Sequence, residues 1–120
     1  MNDATYPWFI LVPRMRHVEE LYQLNESDQL QVLRESSLLS RLLKEVLGAD
    51  KMNVAALGNV VRQLHIHHVV RYVGDQAWPA PVWGRHAARH YEPSGVESLL
   101  EKLKPAIGKE ASFEWLYPLL

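Results

Sequence analysis

The sequence predicts an α+β domain, an antiparallel sheet with a long helix and a C-terminal helix packed against it. Three observations carry that expectation. Three short runs rich in aliphatic and β-branched residues, at 8–12, 52–57 and around 60–71, read as strands. One stretch between Asn25 and Gly48 has helical periodicity with a start and a stop signal. The connection between the last two strand candidates is short, which favours antiparallel pairing.

The first strand, residues 8–12, is ended by Pro13, which cannot donate to a ladder. Arg14 to Arg16 are polar and basic, and residues 18–24 form at most a helical turn. Asn25 is a helix cap, and Asp28 three residues on completes a box-like pattern. Leu39, Leu42, Leu43, Val46 and Leu47 follow at spacings that place them on one face, after Leu30 and Leu33, and Gly48 suits a C-cap. Gly58-Asn59 marks a turn before the third strand, and Gly74-Asp75 another after it. The segment 78–84 contains Pro79 and Pro81 and cannot be regular. Trp78 and Trp83 in that segment read as packing groups in preference to a lid or a subunit contact. Glu92-Pro93-Ser94 opens a last helix with Val96, Leu99, Leu100 and Leu103 on one face, which Pro105 is expected to kink or end. The tail, residues 113–120, is rich in large apolar groups and should pack on the domain or on a partner.

Composition narrows the function classes. One hundred and twenty residues make one domain with room for a core. The net charge of −1 argues against a dedicated nucleic-acid binder. Cysteine is absent, so neither a disulfide framework nor a thiolate metal site is available. No apolar run is long enough for a membrane span, and no signal peptide opens the chain. A cytoplasmic protein is the expectation.

The stretch 58–71, Gly-Asn-Val-Val-Arg-Gln-Leu-His-Ile-His-His-Val-Val-Arg, concentrates the chemistry. Read as a strand, it puts Val61, Gln63, His65, His67, Val69 and Arg71 on one face and Leu64, Ile66, His68, Val70 and Tyr72 on the other. A line of polar groups on one face needs partners if it is buried, and so suggests a site. His68 reads as a core histidine.

Gln-Leu-His-Ile-His-His-Val-Val resembles the motif of the histidine triad (HIT) superfamily, three histidines alternating with apolar residues. His65 matches the middle histidine and His67 the third, whereas Gln63 stands at the first. The resemblance covers roughly residues 7–72. It implies an α+β fold of the kind predicted above and attack of the middle histidine on the α-phosphate of a nucleotide, followed by hydrolysis or transfer. It assigns catalysis to His65, His67 and Gln63. It assigns substrate contacts to Asn59, at the position of a phosphate-binding glutamine, to Asn53, to Asn2 or Asp3 near a ribose-binding position, and to Arg71. The family's nucleotide-binding branch carries a fourth histidine where this chain has Trp8, before Phe9-Ile10-Leu11-Val12-Pro13. One or more strands precede this point in the family, so the expectation is either a chain lacking that segment or an unusually short member. His17 resembles a family histidine that is not catalytic.

The chemistry suits the residue. A neutral imidazole is a good nucleophile near pH 7, provided its second nitrogen donates to a fixed acceptor. No activated water is needed, so neither metal nor cofactor is expected. Two other readings remain open. Gln63 and Trp8 are signs of decay if the protein is a non-catalytic nucleotide-binding module. His65 and His67 could instead share a metal with His86 or His90. The expected partners are a small nucleotide and a second copy of the chain, paired through the long helix and the sheet edge. Neither a nucleic acid nor a membrane is expected.

Overall fold

The computed structural model describes residues 1–108, 113 and 114. Its elements run β1 (Trp8–Leu11), a 3-10 turn (Leu21–Gln23), α1 (Glu26–Leu47), β2 (Lys51–Ala55), β3 (Ile66–Arg71) and α2 (Pro93–Ile107). The three strands form one sheet in the order β1-β3-β2, antiparallel at both contacts, with both helices. This is the predicted α+β architecture.

The last strand in sequence is central in space and is buried on both faces. All six residues of β3 are buried, and three of them, Ile66, His68 and Val70, pack beneath the helices. Residues on the helix side, Leu64, Ile66 and Val70, join Leu39, Leu42 and Leu43 of α1 and Leu103 and Ile107 of α2 in the main core. The opposite side carries a smaller cluster of Tyr6, Trp8, Val69, Ala77 and Val82. The expected two-faced pattern therefore holds from Leu64 onward.

The long helix starts and stops where its sequence says. The Asn25 side chain accepts from the Asp28 amide at 2.9 Å, and Gly48 takes a left-handed conformation at φ 64° that a glycine adopts without strain. Lys44 donates to the carbonyls of Ala49 and Asp50 just beyond the last turn, where a cation also complements the helix dipole. The apolar stripe of α1 is taken up by its own sheet and α2. Leu30 and Leu33 remain exposed.

Two expectations need correction. Residues 60–65 are not strand, and Val60, 94% exposed, lies outside the core. Gly58 turns the chain with φ 56°, and the segment then bonds to the loop after β1 instead of to the sheet. The Leu64 amide donates to Val18 O at 2.7 Å, Gln63 Nε2 to Met15 O at 2.9 Å, and Arg62 pairs with Glu19. Pro105, in turn, lies inside α2 without ending it. It falls in the last turn, where one helical bond is forgone, and the buried Leu103 and Ile107 hold the turn on the core. Phe113 packs against the main core. The rest of the predicted apolar tail, residues 115–120, lies outside the described residues.

Candidate functional site

His65 sits at the mouth of the sheet, one residue before β3. Its Nδ1 lies 2.7 Å from the backbone carbonyl of Gln63. A carbonyl only accepts, so Nδ1 carries the proton and the lone pair of the neutral ring resides on Nε2. His65 borders a cavity of about 210 Å³ that is also lined by Glu19, Glu20, Gly58, Asn59 and Arg62. Asn59 thus borders the same cavity as His65. Arg62, held by Glu19 through bonds of 3.0 and 2.7 Å, is the lining cation.

His67 lies on the same face, its ring centroid 4.9 Å from that of His65. It is buried, and Trp8 Nε1 donates to its Nδ1 at 2.9 Å. The contact follows from the register. Ile10 pairs with His67 and Trp8 with Val69, so Trp8 and His67 are diagonal neighbours on one face. Trp83 stands edge-on to both rings, at 5.5 Å from Trp8 and 5.8 Å from His67. Burial, with the nearby charges of His65, the N-terminal ammonium and His68, pushes the His67 imidazole down to about 4. The ring is neutral at pH 7.

The Gln63 side chain is turned to Met15 O, so the contact with His65 is made by the Gln63 main chain. Four of the residues assigned to substrate are placed elsewhere. Arg71 is 1% exposed and lies along the buried part of the sheet. Its guanidinium donates to both oxygens of Asp75 at 2.7 and 2.9 Å and to Asn53 Oδ1 at 2.7 Å. The Tyr6 and Trp78 rings lie over it at 5.8 and 5.6 Å. The Asp75 bond holds the guanidinium above its usual range and the Asp75 carboxyl below the usual carboxylate range. Asp75 in turn accepts from the amides of Ala77 and Trp78. Arg71 and Asn53 thereby fix the turn after β3 and do not line the His65 cavity. Asn2 Oδ1 accepts from the Tyr91 amide at 3.0 Å. Asp3 Oδ1 accepts from Thr5 at 2.9 Å and from the Arg89 amide at 3.3 Å. These two residues bind the N-terminal segment to the approach to α2.

His68 points the other way and is fully buried. Its Nδ1 is 3.1 Å from Ile66 O and its Nε2 is 2.8 Å from Ser36 Oγ on α1. Both nitrogens are bound within the fold, as expected of a core histidine. Among the described residues no group of three or more His, Asp or Glu could hold a metal. No helix there is long and apolar enough to cross a membrane.

Sequence reasoning missed Glu19, Glu20 and Arg62 as cavity residues and Trp8 as the partner of His67. Arg62 stood within the motif stretch, and the β1–β3 register would have placed Trp8. Glu19 and Glu20 belong to an irregular segment and gave no signal.

The HIT domain model matches residues 1–74. Among solved structures, a histidine triad protein from Marinobacter aquaeolei VT8 superposes with a TM-score of 0.88 at 51% identity, over 92% of this chain and 81% of that one. A histidine triad (HIT) protein from Sinorhizobium meliloti 1021 gives 0.86 at 38% identity, over 89% and 79%. A histidine triad protein from Bradyrhizobium japonicum gives 0.84 at 44% identity, over 88% and 78%. No curated protein matches the chain. With a family model covering more than half of the chain and structural relatives at 38–51% identity, the chain belongs to the histidine triad family.

Proposed function

We propose that the protein hydrolyses or transfers nucleotidyl groups, with His65 Nε2 attacking the α-phosphate of a small nucleotide. The observation that carries this reading is the 2.7 Å bond from His65 Nδ1–H to Gln63 O. It leaves the attacking nitrogen bare and holds the ring in place as the charge on it grows. In the first step an N–P bond forms and the bond from phosphorus to the leaving group breaks, the leaving group taking the electron pair. In the second step water attacks phosphorus, the N–P bond breaks, and His65 recovers its lone pair as a proton passes to solvent. A transferase would use an acceptor hydroxyl in place of the water.

Asn59 and Arg62 border the cavity with His65 and supply donors for phosphoryl oxygens. Arg62 must exchange its pairing with Glu19 to do so. The chain then stands in a bacterial hydrolase branch whose first motif position is Gln63. A homodimer fits the exposed Leu30 and Leu33 on α1. Sedimentation at micromolar concentration tests it, and a monomer there overturns it.

The deciding experiment is intact-mass analysis and peptide mapping after a brief mix with an adenylyl phosphoramidate. A nucleotidyl adduct on His65 supports the reading. Turnover that persists in His65→Ala overturns it. Chelator should leave turnover unchanged.

One observation favours a second reading, a nucleotide-binding module without turnover. His67 is held down to about 4 and Gln63 carries an amide, so neither can deliver a proton to a leaving group at pH 7. Tight nucleotide binding with no product from a fluorogenic nucleotidyl substrate would establish that module.

A further inference from the structure

We infer that Trp8 is a positioning residue that fixes the tautomer of His67, with Nδ1 as acceptor and the proton on Nε2. The family's nucleotide-binding branch, to which this sequence shows a resemblance, has a histidine where this chain has Trp8. The two residue types differ in a way that matters here. An imidazole can donate or accept, and so leaves its neighbour's tautomer open. An indole has one N–H and no acceptor. A bond of 2.9 Å from Trp8 Nε1 to His67 Nδ1 therefore exists only while Nδ1 is bare.

The indole is not free to turn away. Trp8 is buried in β1, and its backbone register on β3 sets it diagonally across from His67. Trp83 stands edge-on to both rings. A proton on Nδ1 would set N–H against N–H and leave a buried donor without a partner. The neighbours that can carry positive charge disfavour the imidazolium and so keep the ring neutral. His65, one residue before β3, and His68 on it flank the ring. From the N-terminal segment the Met1 ammonium, which donates to Trp8 O at 3.0 Å, adds a positive charge.

Among the described residues no hydrogen bond reaches His67 Nε2. On the reading that His65 is the nucleophile, the Nε2 proton of His67 is then a permanent donor to a phosphoryl oxygen. It cannot be handed to a leaving group, because that would create an imidazolate. Trp8 thus selects for substrates whose leaving group departs without acid assistance, such as phosphates and phenolates, over alkylamines.

The tautomer is read directly by nitrogen–proton correlation spectra of the isotope-labelled full chain between about pH 5 and pH 8. The expected result is a His67 ring protonated on Nε2 alone across that range, with a nitrogen–nitrogen coupling to Trp8 Nε1 through the hydrogen bond. Trp8→Phe keeps an aromatic ring and removes the donor. It should give a mixture of tautomers and raise the His67 midpoint by about one pH unit or more, since the lost bond favoured the neutral ring. Ordinary packing by Trp8 would move neither. Protonation of His67 on Nδ1 in the wild type overturns the inference, as does a Trp8→Phe spectrum with tautomer and midpoint unchanged. If Trp8→Phe does not fold, the wild-type coupling and protonation site decide alone. A pinned tautomer in a protein that turns over no nucleotide would uphold this inference and defeat only the catalytic reading.

Discussion

His67 and His68 are adjacent in the chain and both buried, yet they belong to different parts of the molecule. His68 faces α1, and both its nitrogens are bound within the fold, to Ile66 O and Ser36 Oγ. His67 faces the opposite side, with one nitrogen held by Trp8. His65 likewise has one nitrogen held, by the Gln63 carbonyl, and borders the cavity. Burial lowers the pKa of His68 as it does that of His67, so neither burial nor pKa separates the two roles. What separates them is whether a ring nitrogen is left for something outside the chain. Arg71 likewise has its guanidinium bound within the fold, to Asp75 and Asn53, away from the His65 cavity.

The largest expected effect tests the nucleophile. On the proposed reading, in which His65 forms the covalent intermediate, His65→Ala should lower turnover by roughly 10³-fold or more. Thermal stability should fall by only about 0.5–1.5 kcal/mol, the net worth of the one hydrogen bond to Gln63 O that is lost. Comparable turnover in a variant of equal stability would break the contrast between the two kinds of histidine.

Arg71→Ala should do the reverse. It leaves the Asp75 carboxylate buried without its partner and should cost about 3–5 kcal/mol, read as a shift in the denaturation midpoint. His68→Ala should follow at roughly 2–4 kcal/mol, from the cavity left and from the lost bonds to Ser36 and Ile66. Specific activity of the folded fraction should survive both changes. A drop in activity at unchanged stability would make either residue functional.

The helix and the motif were legible because their signals are local. Asn25, Gly48 and the spacing of Leu39, Leu42, Leu43, Val46 and Leu47 state α1 within one window, and the alternation from Leu64 to Arg71 states the two faces of β3. Residues 60–65 misled because a β-branched run says nothing about which loop will take its amides. That was settled by Met15, Val18 and Glu19, more than forty residues upstream. The tie between Trp8 and His67 was hidden for the same reason, since it depends on the register of a four-residue strand against a distant one. Motif matching put Arg71 and Asn53 in the site by position. The side chains follow the pleat, which places the two diagonally on the sheet where they satisfy each other.

Acid should weaken the fold through the buried pair. The folded-state values of both His67 and His68 are depressed, His67 to about 4, so the folded chain binds fewer protons than the unfolded one below the ordinary imidazole value of about 6.5. The stability linked to them is present above that value and is lost as pH falls through it toward 4. Denaturant midpoints should therefore decline between about pH 6.5 and pH 4, and His68→Asn should flatten part of the decline. A midpoint constant over that window would mean that the rings are charged in the folded state.

The smallest effect concerns Gln63, and it separates side chain from main chain at one residue. The side-chain amide donates to Met15 O on the exterior of the fold, whereas the main-chain carbonyl orients His65. Gln63→Ala deletes the first bond and keeps the second. Stability should fall by about 0.5–1.5 kcal/mol, the net worth of one ordinary hydrogen bond, and kcat with a good leaving group should stay within roughly threefold, because the nucleophile keeps its acceptor. Gln63→His restores the family residue and adds a group that can carry a proton near neutral pH. If it reaches the leaving group, turnover of alkylamine phosphoramidates should rise while that of substrates with phenolate leaving groups stays level. Equal changes for both substrate types would mean that position 63 acts through the placement of His65 alone. A large loss of kcat in Gln63→Ala would mean that the tether to Met15 is what holds the carbonyl under the His65 ring.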